Sequence, residues 1–404
     1  MTTSRLAAVS ALKMIFTGED DKPVLHIKHR RIPFIFFFFF LVSFIFTHCS
    51  KKAEEKSVSS VNIKYAKGFS VKKDGDATWV TVNYPYQGAT SGYKYLLIPR
   101  GEKIPRHDPD VSVIEVPIET IVCTSTTHIP HLDYLGVTDK LVGFPSADYI
   151  SSEKARKRID AGFVKDLGID KGMNLELLYT LKASMVMGYT MSADLGQLRK
   201  IEEMGIPVVI NGEYLERDPL GRAEWIKFTS LFFGKEKVAD SVFNMIETEY
   251  IATRDKLAAV EQKPSVLCGT VYGDAWFMPG GENYAAKLLK DAGNNYLWAS
   301  DSTHGWLEIS FESVYDKAKD ADLWIVGSFD TFEQLKAADQ RYALFKAFTT
   351  KEIYNYNARQ GTKGGNDFLE LGYMRPDIIL KDLVKIGHPE LLPDHQLYFH
   401  ARLR

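Results

Sequence analysis

The chain has 404 residues, enough for two domains of ordinary size. Hydrophobic residues make up 45% and charged residues 25%, an ordinary globular balance. A formal net charge of −2 supplies no basic field for nucleic acid, and Cys49, Cys123 and Cys268 form neither a disulfide framework nor a metal-ligand spacing.

The N-terminus reads as an export signal. Lys28-His29-Arg30-Arg31 is basic, and the run from Ile32 to Phe46 is almost wholly apolar, with five consecutive phenylalanines at Phe36–Phe40. That run is shorter than the roughly 20 residues of a membrane-spanning helix, and it matches the apolar core of a signal peptide behind its basic segment. Phe46-Thr47-His48-Cys49 then resembles a lipobox, in which Cys49 would be the lipidated first residue of the mature chain; His48 stands where a small residue is usual. Residues 1–48 are read as signal peptide and 49–58 as a polar tether to a lipid anchor. Translation from Met14 would shorten the long segment ahead of the apolar run.

From residue 59 to 117 the pattern is that of strands. Thr78-Trp79-Val80-Thr81-Val82 alternates, and Tyr93 to Ile98 follows a turn-rich stretch, which predicts an antiparallel β elaboration. From about 118 short apolar strands alternate with helices: Ile121-Val122-Cys123, Leu141 to Phe144, Met185 to Gly188 and Pro207 to Ile210, with helices at 131–135 and 195–204. That texture predicts βαβ units on a parallel sheet. Apolar residues at helical spacing predict one helix to about Phe233 and a long one over about 235–260. Val266-Leu267-Cys268 opens a second α/β series, which continues through a helix near 283–291 and a strand at 323–326 to a helix near 376–386. The expected architecture is two Rossmann-like lobes with parallel central sheets joined by one long helix: residues 59–212, a linker and bridge at 213–262, and 263–404.

A short pattern occurs once in each series. Asn174-Leu175-Glu176 opens a helix that leads to Met185-Val186-Met187-Gly188, and Ser310-Phe311-Glu312 opens one that leads to Leu323-Trp324-Ile325-Val326-Gly327. Each places a carboxylate in a helix first turn, where it also favours the positive end of the helix dipole by about 0.3–1 kcal/mol. Ligands of open α/β sheets sit outside the carboxyl ends of the strands. The loops there, Ser125-Thr126-Thr127-His128 and Tyr272 to Phe277 with Trp276, are therefore expected at the cleft, together with Tyr214, Trp298, His304 and Trp306 on neighbouring loops. Aromatic side chains with a few polar groups suit a large planar or macrocyclic ligand. For any one of these aromatics, packing inside a lobe accounts for it equally well. His128 or His304 has the chemistry to bind a haem or cobalamin metal axially, although a polar loop histidine is the plainer reading. No resident metal site is expected. Asn366-Asp367 reads as a turn, and Cys123 and Cys268 as separate buried thiols.

The order and spacing of Leu135-Gly136-Val137-Thr138-Asp139-Lys140-Leu141-Val142-Gly143, Asn174-Leu175-Glu176, the Met204-Gly205-Ile206-Pro207 core, Met278-Pro279-Gly280-Gly281 and the block from Glu312 to Trp324 resemble the periplasmic binding proteins of iron–siderophore, haem and cobalamin ABC importers, over roughly residues 118–395. The resemblance implies two lobes bridged by a helix and only small hinge motions. It implies a ligand drawn from ferric siderophore, haem or cobalamin, and no catalysis. It further implies docking to an ABC permease dimer with its ATPase through one glutamate on each lobe, at the places of Glu176 and Glu312. The protein would sit on the periplasmic face of the cytoplasmic membrane or at the cell surface. Two other functions compete: a tetrapyrrole metal chelatase-like enzyme, against which the histidines are widely dispersed, and a surface scavenger or sensor without a permease. No nucleophile elbow or metalloprotease motif occurs, and Pro279-Gly280-Gly281 lacks the Lys-Ser/Thr of a phosphate loop.

Overall fold

The computed structural model describes residues 59–404 apart from Ser328. The expected signal peptide, the lipidated Cys49 and the tether lie outside the described residues. No described helix is long and apolar enough to cross a membrane.

The first five strands, β1 (Ser59–Ser60), β2 (Phe69–Asp74), β3 (Ala77–Val82), β4 (Tyr93–Pro99) and β5 (Ser112–Val116), make a front sheet in that order. β1 to β4 pair antiparallel, as expected, but β4 and β5 run parallel. The chain between them, residues 100–111, is long enough to return to the starting end of β4, whereas a tight turn would have forced antiparallel pairing.

Lobe one follows as β6 (Ile121–Cys123), α1 (His128–Leu135), β7 (Leu141–Phe144), α2 (Glu153–Asp160), β8 (Lys165–Asp166), α3 (Leu175–Thr180), β9 (Met185–Gly188), α4 (Gln197–Glu203) and β10 (Val208–Ile210). Its sheet is wholly parallel in the order β10-β9-β6-β7-β8. β6, β9 and β10 are buried along their whole length, which is why they read as unbroken apolar runs.

The linker contains two helices, α5 (Pro219–Leu231) and α6 (Glu236–Asp255), so the long helix ends a little before the expected 260. Asp218 caps α5 by accepting the N–H groups of Leu220 and Gly221, and Pro219 occupies the first turn, where no N–H is needed. Every residue of α5 is buried, polar ones included. It ties the front sheet to lobe one: Trp225 and Phe228 pack on Phe69 of the front sheet, and Thr229 bonds His131 of lobe one.

Lobe two comprises β11 (Ser265–Cys268), β12 (Thr270–Tyr272), β13 (Ala275–Pro279), α7 (Tyr284–Asp291), β14 (Asn295–Tyr296), β15 (Trp306–Ile309), α8 (Phe311–Ala318), β16 (Leu323–Val326), α9 (Phe332–Ala338), α10 (Lys346–Thr349), β17 (Ile353–Asn355), α11 (Asp367–Glu370), α12 (Pro376–Gly387) and β18 (Ala401–Arg402). Its main sheet, ordered β14-β11-β16-β17-β18, is parallel except for the last pair. A separate antiparallel sheet, β12-β13-β15, stands beside it. The lobes also touch directly. Buried Glu370 accepts the N–H groups of Ser151 and Ser152 at 2.6 and 2.8 Å, and Arg375 donates to the Tyr134 hydroxyl at 2.6 Å.

Candidate functional site: a cleft between the lobes

A cavity of about 1040 Å³ lies between the lobes. Lobe one and the linker line it with Met191 after β9 and with residues 214–218 after β10; lobe two lines it with Cys268 and Gly269 at the end of β11, Gly327 after β16 and Tyr356 after β17. It therefore lies at the carboxyl ends of both parallel sheets, as the open-sheet rule requires. Tyr84, Tyr86, Tyr214, Tyr284, Tyr373 and Trp306 give it an aromatic lining.

Three of the ten residues expected at the ligand site line the cavity. Tyr214 is half-buried, and its hydroxyl donates to the Thr190 carbonyl at 2.8 Å. Trp306 begins β15 and is 65% exposed. His304 points its Nδ1 at Glu282 across 2.9 Å. Glu282 also meets Arg217 at 3.4 Å, an exposed ion pair across the mouth worth about 0–1 kcal/mol.

The other seven do not line it. Trp276 is fully buried: its Nε1 donates to the Cys268 carbonyl at 2.8 Å, and its ring packs with Trp324, Tyr342 and Phe345. Strand alternation explains this, because Trp276 and Met278 share the inward face of β13. Tyr272 goes the other way; at the tip of the β12–β13 hairpin it is 80% exposed and touches Phe277. Trp298 is buried with the Lys317 ammonium over its ring.

The loop after β6 turns inward. Ser125 and Thr127 bond each other, and Thr127 bonds the Glu213 carboxyl. Thr126 is half-buried and outside the lining. His128 is not a loop residue but the first residue of α1, because Pro130 fits a helix first turn. It and His131 are both buried, and burial pushes each ring down to about 3, so both are neutral. His131 Nδ1 bonds Thr229 at 2.8 Å while Nε2 faces Glu213 at 3.5 Å. Burial pushes Glu213 up to about 7, against hydrogen bonds from Thr127 and Asn211 and the charge of Arg222. This polar cluster fills the end of the lobe-one sheet that the sequence assigned to the ligand.

Residues that sequence reasoning missed complete the cleft. The Arg222 guanidinium lies between Tyr284 and Tyr373, 3.9 and 4.5 Å from their ring centres, and its Nε and Nη2 donate to the carbonyls of Glu216 and Tyr214. It sits inside an apolar helical pattern, and no local signal marks it. Among the described residues no group of three His, Cys, Asp or Glu side chains is placed to hold a metal ion. Cys123 and Cys268 are free, buried thiols.

Glu176 and Glu312 are both exposed, in the first turns of α3 and α8. Asn174 and Ser310 cap those helices by accepting the N–H groups of Leu177 and Ser313. Glu312 also lies 3.5 Å from Arg341, which stacks on Phe311.

Comparison with known proteins agrees with this geometry. Residues 121–359, more than half of the chain, match the family model described as periplasmic binding protein. Two uncharacterized lipoproteins of Methanocaldococcus jannaschii are similar along most of their length: one is 28% identical over 373 residues, covering 88% of this chain and 90% of the relative, and the other 25% identical over 375 residues, covering 86% of each. Among solved structures, a periplasmic binding protein from Veillonella parvula superposes with a TM-score of 0.55 at 16% identity, covering 76% of this chain and 98% of its own. A periplasmic heme binding protein from Pseudomonas aeruginosa does so with 0.52 at 18%, covering 68% and 94%. The chain belongs to the periplasmic binding protein family that its sequence motifs resemble.

Proposed function

We propose that this protein captures an iron chelate, haem or cobalamin outside the cytoplasm and hands it to an ABC permease with its ATPase, held at the membrane by a lipid on Cys49. The observation that carries this reading is the aromatic cleft of about 1040 Å³ at the carboxyl ends of two parallel sheets. Its size suits a drug-sized or larger ligand. The lipoprotein relatives and the heme-binding structural neighbour support the anchor and the ligand class. Glu176 and Glu312 would dock the lobes on the permease. Both are exposed, one per lobe, on equivalent helix starts, and rim charges of this kind set orientation more than affinity.

The test is charge reversal at both positions, Glu176→Arg with Glu312→Arg. Uptake of the cognate ligand should be abolished while its affinity for the isolated protein stays within about twofold. Normal uptake by the double variant would refute the docking role.

A further inference from the structure

The family match begins at residue 121, yet the front sheet before it reaches the cleft: Lys67, Gly68, Tyr84, Tyr86 and Gln87 all line the cavity. This wall is pinned by two buried carboxylates of the linker. Glu216 accepts the N–H groups of Lys67 and Gly68 at 2.8 and 2.7 Å and the Trp225 indole N–H at 3.0 Å. Glu224, fully buried, accepts those of Lys64, Tyr65 and Ala66 at 3.0, 2.7 and 3.0 Å. The fit is close: a Cβ on Gly68 would come within 2.7 Å of the Trp225 ring, and one on Gly212 within 2.7 Å of the Tyr84 carbonyl. The wall is thus a fixed part of the cavity.

The cations around this cleft divide into two kinds. Lys64 is paired with Glu247 at 2.8 Å, Arg217 with Glu282 at 3.4 Å, and Lys287, beside the lining, with Asp291 at 2.8 Å. Lys67 and Arg222 have no carboxylate within ion-pair distance among the described residues. Arg222 is only 9% exposed and stacked between two tyrosines. Its charge is felt by the buried carboxyls of Glu213 and Glu216, neither of them within ion-pair distance, and the N–H groups it does not spend on the carbonyls of Glu216 and Tyr214 suit an oxyanion. Both cations hang on one residue: Lys67 donates its backbone N–H to the Glu216 carboxylate, and Arg222 donates Nε to the Glu216 carbonyl at 3.0 Å.

We propose that the front sheet forms a third wall of the ligand site, and that Lys67 and Arg222 together receive an anionic oxygen group of the ligand. This rests on the reading of the cleft as a chelate site. It assigns a specificity role to a segment outside the matched family region, and it selects anionic chelates over neutral ones of the same size.

The test compares two probe pairs that differ in charge, haemin against its dimethyl ester and a ferric tris-catecholate against a ferric tris-hydroxamate, by tryptophan quenching on the full chain in detergent. Within a pair that binds, the anionic member should bind at least tenfold more tightly. Lys67→Glu, a change at an exposed side chain, should remove most of that preference, read as the ratio of the two affinities within the pair, and Arg222→Gln should lower the same ratio. Equal affinities within the pair, or a preference untouched by Lys67→Glu, would overturn the anion site and leave the chelate reading standing. Binding of none of the four probes would overturn the chelate reading and the anion site with it.

Discussion

Glu224→Ala is a severe local perturbation with a predictable site of damage. The carboxylate has no solvent exposure and receives four donors: the N–H groups of Lys64, Tyr65 and Ala66, and the Lys227 ammonium at 2.9 Å. Removing one partner of a buried ion pair costs about 3–5 kcal/mol, because the other charge is left uncompensated. Two features bring the expectation to the lower end. Lys227 keeps Asp240 at 3.7 Å and the Asn62 carbonyl at 3.4 Å, and the amides of Lys64 and Tyr65 are only partly buried, so water can replace their acceptor. A loss of about 3 kcal/mol is expected, with Glu224→Gln losing about half as much, since the amide oxygen still accepts but carries no charge. Amide hydrogen exchange of residues 64–66 locates the effect, and urea unfolding gives its size. The loss should be concentrated in that segment, with the lobe sheets protected as before. A loss below about 1 kcal/mol, with protection at 64–66 unchanged, would refute the claim that this carboxylate pins the front sheet.

Stability should depend on pH through Glu213. Its carboxyl is pushed up to about 7 by burial, while an unfolded glutamate titrates near about 4.3. Between these values the folded chain holds a proton that the unfolded chain has released. The stability from this group is therefore complete below about pH 4 and is lost as pH rises to about 7, by at most about 1.4 kcal/mol per pH unit. His128 and His131, pushed down to about 3, act oppositely, since stability from neutral buried rings is lost as pH falls below about 6.5. Comparison with Glu213→Gln isolates the carboxyl. From pH 5.5 to 7.5 the wild type should lose about 2 kcal/mol relative to the variant in urea unfolding, and a constant difference would count against the assignment. Trp276→Ala and Trp306→Ala should behave as opposites. The first empties a packed aromatic cluster, costing about 3–5 kcal/mol in thermal unfolding while the remaining folded protein binds ligand normally. The second leaves stability within about 0.5 kcal/mol and weakens ligand binding measured by calorimetry; the reverse pattern would show the cleft to be misplaced.

The frame of the molecule was legible in the sequence because its signals are local. Short apolar strands, the Asn174 and Ser310 caps and the two linker helices each follow from neighbours within a few positions, and the structure places them within a few residues of expectation. The repeated glutamate pattern likewise falls on equivalent helix starts in the two lobes. The cleft lining was less legible. The place of Trp276 after the first strand of lobe two predicts it at the cleft, yet period-two alternation in β13 turns that ring into the core. Ser125 to His128 stand after the first strand of lobe one as expected, but Thr127 meets the Glu213 carboxyl, a side chain brought from beyond residue 210. Arg222, Tyr284 and Tyr373 come together only when the linker helix meets lobe two, and Tyr84 and Tyr86 arrive from a sheet that read as decoration. Such contacts depend on tertiary packing, which no local pattern encodes.

Titration of the full chain with haem, cobalamin and a ferric siderophore, by calorimetry and by tryptophan quenching, tests the central claim most directly. One of the three should bind saturably at one molecule per chain, and that binding should be weakened at least tenfold by Trp306→Ala combined with Tyr214→Ala at the cleft. Failure of all three to bind, or binding indifferent to both cleft substitutions, would contradict a ligand-capture role for this cleft.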